Sequence, residues 1–183
     1  MGGFDQVIHG MQEAQAIQKD FGLYAQSNQP VHHILWIAKK AGCNDIGDLY
    51  LRKVMRKLYT KRGWSGDEDN GEMASWYVLA SLGVFQLEGA KDELVLGSPS
   101  LVRGQVDVPK GQMLTVATVN QSDANVHVQK VTWQPTGGQQ RDIHEDARAA
   151  SGCTAFNPSF LVCVRRASFS PPNRVISMTL ARQ

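Results

Sequence analysis

Gly66-Asp67-Glu68-Asp69-Asn70-Gly71-Glu72-Met73 lies between a basic stretch, Lys57 to Trp64, and an almost wholly apolar run, Ala74 to Phe85. The apolar run reads as a helix buried on most of its circumference, so three adjacent acids stand at the mouth of a buried helix. Capping accounts for part of them. Asp69 is placed to cap the helix, Glu72 to reach back as the last residue of a capping box, and the positive end of the helix dipole favours negative charge there. Asp67 is left over. The glycines on both sides predict a backbone that turns sharply or lets a ligand come close. Acids beside aromatic residues, here Trp76 and Tyr77, suit a sugar-processing site.

Outward from this stretch the chain changes character once, near Glu88. Upstream, the 3.6-residue period predicts helices over Asp5 to Lys19, Val31 to Ala41, Asp45 to Leu58 and Glu72 to Leu82, with Gly22, Gly42, Gly63 and Gly83 as stops. Downstream, alternating and β-branched runs predict strands at Glu93 to Leu96, Gln105 to Val108, Met113 to Asn120, Val126 to Trp133, Phe160 to Arg165 and Arg174 to Leu180. Gly97-Ser98-Pro99, Pro109-Lys110-Gly111 and Ser170-Pro171-Pro172-Asn173 punctuate them, and Gly137 to Ala150 reads as a polar loop. The expected fold class is mixed α and β. Residues 1–88 form a helical segment and residues 89–183 an antiparallel β unit with an irregular tail. Four helices with no sheet among them must bury their faces on other helices. The Asp5 to Lys19 helix carries little apolar surface, as if its packing partners lay upstream.

Composition excludes several classes. A formal charge of +2 over 183 residues is too small to argue for nucleic acid, and the basic residues from Arg52 to Arg62 read as one solvated helix face. No run of about 18 apolar residues is present, and the start lacks a charged segment followed by an apolar signal core, so no membrane partner is expected. The three cysteines, Cys43, Cys153 and Cys163, lack the close spacing of a zinc site; a Cys153 to Cys163 bridge stays open, and compartment is not readable.

A second polar concentration, Ser27-Asn28-Gln29-Pro30-Val31-His32-His33, precedes the apolar run Ile34 to Ala41. Pro30 is an opening signal for a helix, with Asn28 or Gln29 supplying acceptors to its free amides. His32 and His33 point about 100 degrees apart on a helix and cannot grip one metal as an i, i+4 pair does. One of them is expected to face the acidic loop, contacting a sugar hydroxyl or holding an Asp, while the other packs. The acidic loop is also not an EF-hand, because its glycine and closing Glu are out of register. Any calcium would need ligands drawn from separate segments.

Three blocks carry a resemblance: Tyr24-Ala25-Gln26-Ser27-Asn28-Gln29-Pro30-Val31-His32-His33-Ile34; Gly66 to Leu79, running on to Leu82-Gly83; and Leu94-Val95-Leu96-Gly97-Ser98-Pro99. In order and spacing they resemble the C-terminal part of glycoside hydrolase family 92, over about Phe21 to Trp133. The resemblance implies an exo-acting, calcium-dependent α-mannosidase that trims mannose from N-glycans with inversion, built on an (α/α)6 barrel flanked by β-structure. It implies Asp69 as general base, with Asp67 beside it handling the attacking water. Asn28, Gln29, His32, His33 and Glu68 are implied near the sugar, with Asn28 and Gln29 also as calcium ligands. Many relatives carry Glu at the position of Gln29, so a charge favouring calcium is missing here.

Inverting hydrolysis pairs a carboxylic acid with a carboxylate about 6.5–9.5 Å away. Asp67 and Asp69, two residues apart, more naturally share one end of a site. The resemblance puts the acid in an aromatic-rich motif upstream of Asn28. No such motif occurs before Ser27, where Glu13 reads as a solvated helix residue. The expectation is therefore a fragment carrying the base side, lacking the acid and an upstream barrel segment, and inactive and prone to associate by itself. The alternative is a non-catalytic carbohydrate-binding or scaffolding remnant.

Overall fold

The computed structural model describes residues 21–61, 63–90, 93–108, 112–135, 139, 141–144, 163–165 and 173–182. The expected helix at Asp5 to Lys19, Glu13 within it, and the Cys153 to Cys163 bridge lie outside them. Cys43 is half-buried and forms no disulfide.

The helical half begins with a single 3-10 turn, Gln29–Val31, which has Pro30 in its opening turn and no side-chain cap from Asn28. Helix α1 then runs only over Ile34–Lys40, so Pro30 opens a separate turn and not the expected helix from Val31. Helix α2 spans Asn44–Leu58 and α3 spans Glu72–Leu82. A two-stranded ribbon, β1 (Tyr59–Thr60) against β2 (Gly63–Trp64), carries the chain from the end of α2 toward the acidic stretch. Trp36, Leu51, Val54, Met55, Leu58, Met73, Trp76 and Val95 form the helical core. Trp36 is wholly buried at 0% exposure and stacks on Phe85 at 5.1 Å, which makes it a central packing group.

Strands follow α3. β3 (Val84–Phe85), β4 (Glu93–Leu96) and β9 (Cys163–Arg165) form a small antiparallel sheet. The larger sheet has the order β5-β6-β10-β7-β8, from β5 (Arg103–Val108), β6 (Gln112–Val119), β7 (His127–Pro135), β8 (Arg141–His144) and β10 (Asn173–Ala181). Two expectations change here. The polar stretch Gly137 to Ala150 contains edge strand β8, which pairs antiparallel with β7; a polar sequence is what a solvated edge tolerates. The β unit is also not wholly antiparallel, because β10 inserts between β6 and β7 and runs parallel to β6. Ile176, Met178 and Leu180 alternate along β10 and are buried with Leu114, Val116, Val131 and Trp133, so one face of this sheet makes the second core.

The two cores interlock. Leu82 and Val84 belong to the sheet core, whereas Val95 belongs to the helical core. Between Leu82 and Val84, Gly83 ends α3 in the left-handed region at φ 70°, and its N–H returns to the Ala80 carbonyl. A Cβ at Gly83 would lie 2.6 Å from the Gly97 carbonyl oxygen, so this position needs glycine for conformation and for space. Elsewhere the halves are joined through Asp48 of α2. One oxygen pairs with Lys39 of α1 at 2.6 Å and the other accepts the Val128 N–H of β7 at 3.0 Å. Arg52, one turn on, donates to the Pro99 and Ser122 carbonyls.

Candidate active site

The two polar stretches singled out in the sequence meet. At Gly66, a Cβ would sit 2.6 Å from the Ser27 carbonyl oxygen, so what comes close to this glycine is the backbone of the other loop. Two residues past Ser27 and one past Gly66, the Gln29 amide nitrogen donates to the Asp67 carbonyl at 2.9 Å. The loop carrying Asn28 and Gln29 is thereby fixed against the loop carrying the acids.

The capping arrangement differs from the one expected. The N-cap of α3 is Gly71 at φ 100°, and it makes no side-chain cap bond. Asp69 and Asn70 before it are also left-handed, at φ 51° and 56°, a costly sequence for two residues with a Cβ. Asp69 accepts the Glu72 N–H through its backbone carbonyl at 3.3 Å, and its side chain does not cap. Glu68 does so instead: its carboxylate accepts the Gly71 N–H through Oε2 and the Ala74 N–H through Oε1, the latter at 3.1 Å. Its carbonyl accepts the Met73 N–H at 3.1 Å. Asp67 and Asp69 are exposed, and among the described residues neither carboxylate has a hydrogen-bond or ion-pair partner.

Glu72 does not reach back either, because it faces His32. The His32 ring is 3% exposed, with Nδ1 2.8 Å from Glu72 Oε1 and Nε2 2.8 Å from the Gln26 carbonyl oxygen. A carbonyl can only accept, so Nε2 carries a proton; the contact to the carboxyl then needs a second proton, on the ring or on Glu72. Trp76 donates its indole N–H to the His32 carbonyl at 3.0 Å, and the two rings lie 5.5 Å apart. Thus the histidine that meets an acid is also the one that packs, and its acid is a Glu at the start of α3. His33 is exposed.

Beneath this lies an aromatic layer of which Gln26 and Tyr59 are parts with no local signal in the sequence. Tyr59 stacks on Trp76 at 5.6 Å and on Tyr77 at 4.8 Å. Gln26 donates to the Tyr59 hydroxyl at 2.7 Å and accepts from Tyr24, and the Tyr59 hydroxyl reaches Met73 Sδ at 2.9 Å. Burial pushes the Tyr59 and Tyr24 hydroxyls above their ordinary range, so both stay protonated donors.

Calcium takes six to eight oxygens, several of them charged. Among the described residues no group of three His, Cys, Asp or Glu side chains could hold a metal ion. Asn28 and Gln29 offer neutral amide oxygens, and Glu68 already accepts two amides. The described residues do not by themselves fit a calcium cage.

The site is thus a pair of loops in contact that exposes two carboxylates without a partner among the described residues. Residues 1–154 match the glycosyl hydrolase family 92 catalytic domain, and the chain belongs to that family. Its fold is similar to that of a family GH92 alpha-mannosidase from Bacteroides thetaiotaomicron solved in complex with mannoimidazole, with a TM-score of 0.71, 17% identity, and 88% of this chain and 19% of that one covered. It is similar also to a family GH92 inverting mannosidase from Bacteroides thetaiotaomicron VPI-5482, with a TM-score of 0.59 and 26% identity over 97% of this chain and 21% of that one. The chain thus spans about a fifth of the length of these solved relatives. No curated protein matches it. No helix of the described residues is long and apolar enough to cross a membrane.

Proposed function

We propose that this chain supplies the base side of a glycosidase that removes terminal mannose from N-glycan type α-mannosides with inversion. The observation that supports this reading is the left-handed bend at Asp69 and Asn70, which holds the Asp67 and Asp69 carboxylates in solvent with no partner among the described residues. A free carboxylate can take a proton from water, and its neighbour two residues away can orient that water or hold its second hydrogen. Family membership and the mannosidase neighbours point to the sugar. The leaving oxygen must be protonated by an acid that the described residues do not offer beside these carboxylates. In this proposal the acid belongs to another part of the domain, together with the charged ligands of a calcium ion that Asn28 and Gln29 would help to hold. When bound, calcium would orient and polarise the sugar hydroxyls.

The test is release of mannose from an α-mannoside, with calcium present and then chelated. With the remainder of the domain present, turnover should fall on chelation and should drop about 10²–10⁴-fold in Asp69→Asn, because the amide cannot accept the proton. The 183-residue chain alone should release none. Mannose binding with no turnover in either form would instead favour a carbohydrate-binding remnant. Calcium-dependent release by the chain alone, abolished by Asp69→Asn, would show that the acid lies within it.

A further inference from the structure

We infer that Glu68 is a positioning residue, which sets the direction of the Asp69 carboxylate and contacts neither sugar nor metal. The inference rests on the reading of Asp69 as base. Its grounds are geometric. The segment from Asp67 to Gly71 is tied at both ends: the Asp67 carbonyl is held by Gln29 at 2.9 Å, and Glu68 is held to α3 through three acceptors, both carboxylate oxygens and its carbonyl. Only Asp69, Asn70 and Gly71 lie between the Glu68 anchor and the helix, and all three are left-handed. Asp and Asn enter this region more readily than other residues with a Cβ, but as single residues; two in succession followed by Gly71 are an unusual run. Something must close the bend, and the Glu68 carboxylate does so by accepting the N–H of Gly71 on its far side. The same carboxylate takes the Ala74 N–H, so the bend is referenced to the axis of α3, and α3 to the aromatic layer through Trp76 and Met73. Each Glu68 oxygen already accepts one backbone amide, which commits the carboxylate to the loop. Its charge also lies where the positive helix end favours it.

The role separates from a merely structural one in two readouts. Amide hydrogen exchange on the 183-residue chain tests the cap directly. Glu68→Ala should speed exchange at Gly71 and Ala74 by about two- to thirtyfold, the range for loss of a helix cap, and Glu68→Gln, which keeps one acceptor, should lie between. Steady-state kinetics with the remainder of the domain present tests the positioning. Glu68→Ala should lower kcat about 10- to 100-fold, since an ångström of misplacement costs that order, while KM and the calcium concentration for half-maximal turnover stay within about twofold. Glu68→Gln should recover part of the kcat. Unchanged exchange at both amides would overturn the cap and with it the inference. A raised KM, or a raised calcium requirement, with kcat intact would make Glu68 a ligand and overturn it also. Faster exchange with unchanged kcat would retain the cap and overturn the positioning, whereas the base itself is tested by Asp69→Asn.

Discussion

Asp48 and the Asp67–Asp69 bend put the same functional group to opposite uses within one half of the molecule. Asp48 is wholly buried, and both of its oxygens are consumed, one by Lys39 at 2.6 Å and one by the Val128 N–H at 3.0 Å. Burial pushes its carboxyl up from the ordinary range, against the pull of Lys39 and of the Val128 amide. It ties α1, α2 and the large sheet together. At the bend, by contrast, the backbone and Glu68 supply the structural bonds, and the Asp67 and Asp69 oxygens stay in solvent. A buried carboxylate with both oxygens engaged is a joint, and one held out in solvent by its neighbours keeps its oxygens accessible.

The sharpest way to break this contrast is the Asp69→Asn exchange. Asparagine tolerates the left-handed region as well as aspartate does, so stability should change by less than about 0.5 kcal/mol while the turnover loss described above appears. Paired melting and kinetic measurements decide it; a large fall in melting temperature would mean that Asp69 is a joint as well. The mirror experiment is Asp48→Asn, which leaves the Lys39 ammonium, 5% exposed, without its counter-charge. Denaturant titration should show a loss of about 3–5 kcal/mol. Replacing both members with apolar residues of similar size should cost less than the single change, or the pair is not the reason for the loss.

Gly83→Ala sharpens the comparison where the two cores interlock. A left-handed φ of 70° and a 2.6 Å approach to the Gly97 carbonyl predict a loss of about 1–3 kcal/mol. An unchanged unfolding midpoint would show that the α3 to β3 corner relaxes without cost. At the small end, Arg56 and Asp123 approach at 3.8 Å with side chains 69% and 76% exposed. Arg56→Ala should fall within about 0.5 kcal/mol of the parent, because solvent screens the pair and two long side chains resist being fixed.

Much of the architecture was legible in the order of the residues. Glu72–Leu82 and Glu93–Leu96 fall where periodicity placed them, because an apolar run of helical length and a short β-branched run with a following Gly97-Ser98-Pro99 turn have few other ways to bury themselves. The pairing partners were not legible. β10 joins β6 in parallel and β7 antiparallel from more than 35 residues away along the chain, and β8 came out of a stretch whose polarity suits an edge as well as a loop.

At the candidate site, the family resemblance depended on residue types alone, so Asp67, Asp69, Asn28 and Gln29 could be named from the sequence. Which acid caps α3 could not. Local rules favour Asp69 with Glu72, yet the contest was decided by His32, 40 positions from Glu72, which engages that carboxyl, and by Gln29, which holds the Asp67 carbonyl. With Glu72 drawn toward His32, Glu68 closes the bend over the free amides. Sequence determines which groups exist and how they repeat along the chain. Only the tertiary structure decides which lone pairs are consumed, because that depends on side chains brought together from distant segments.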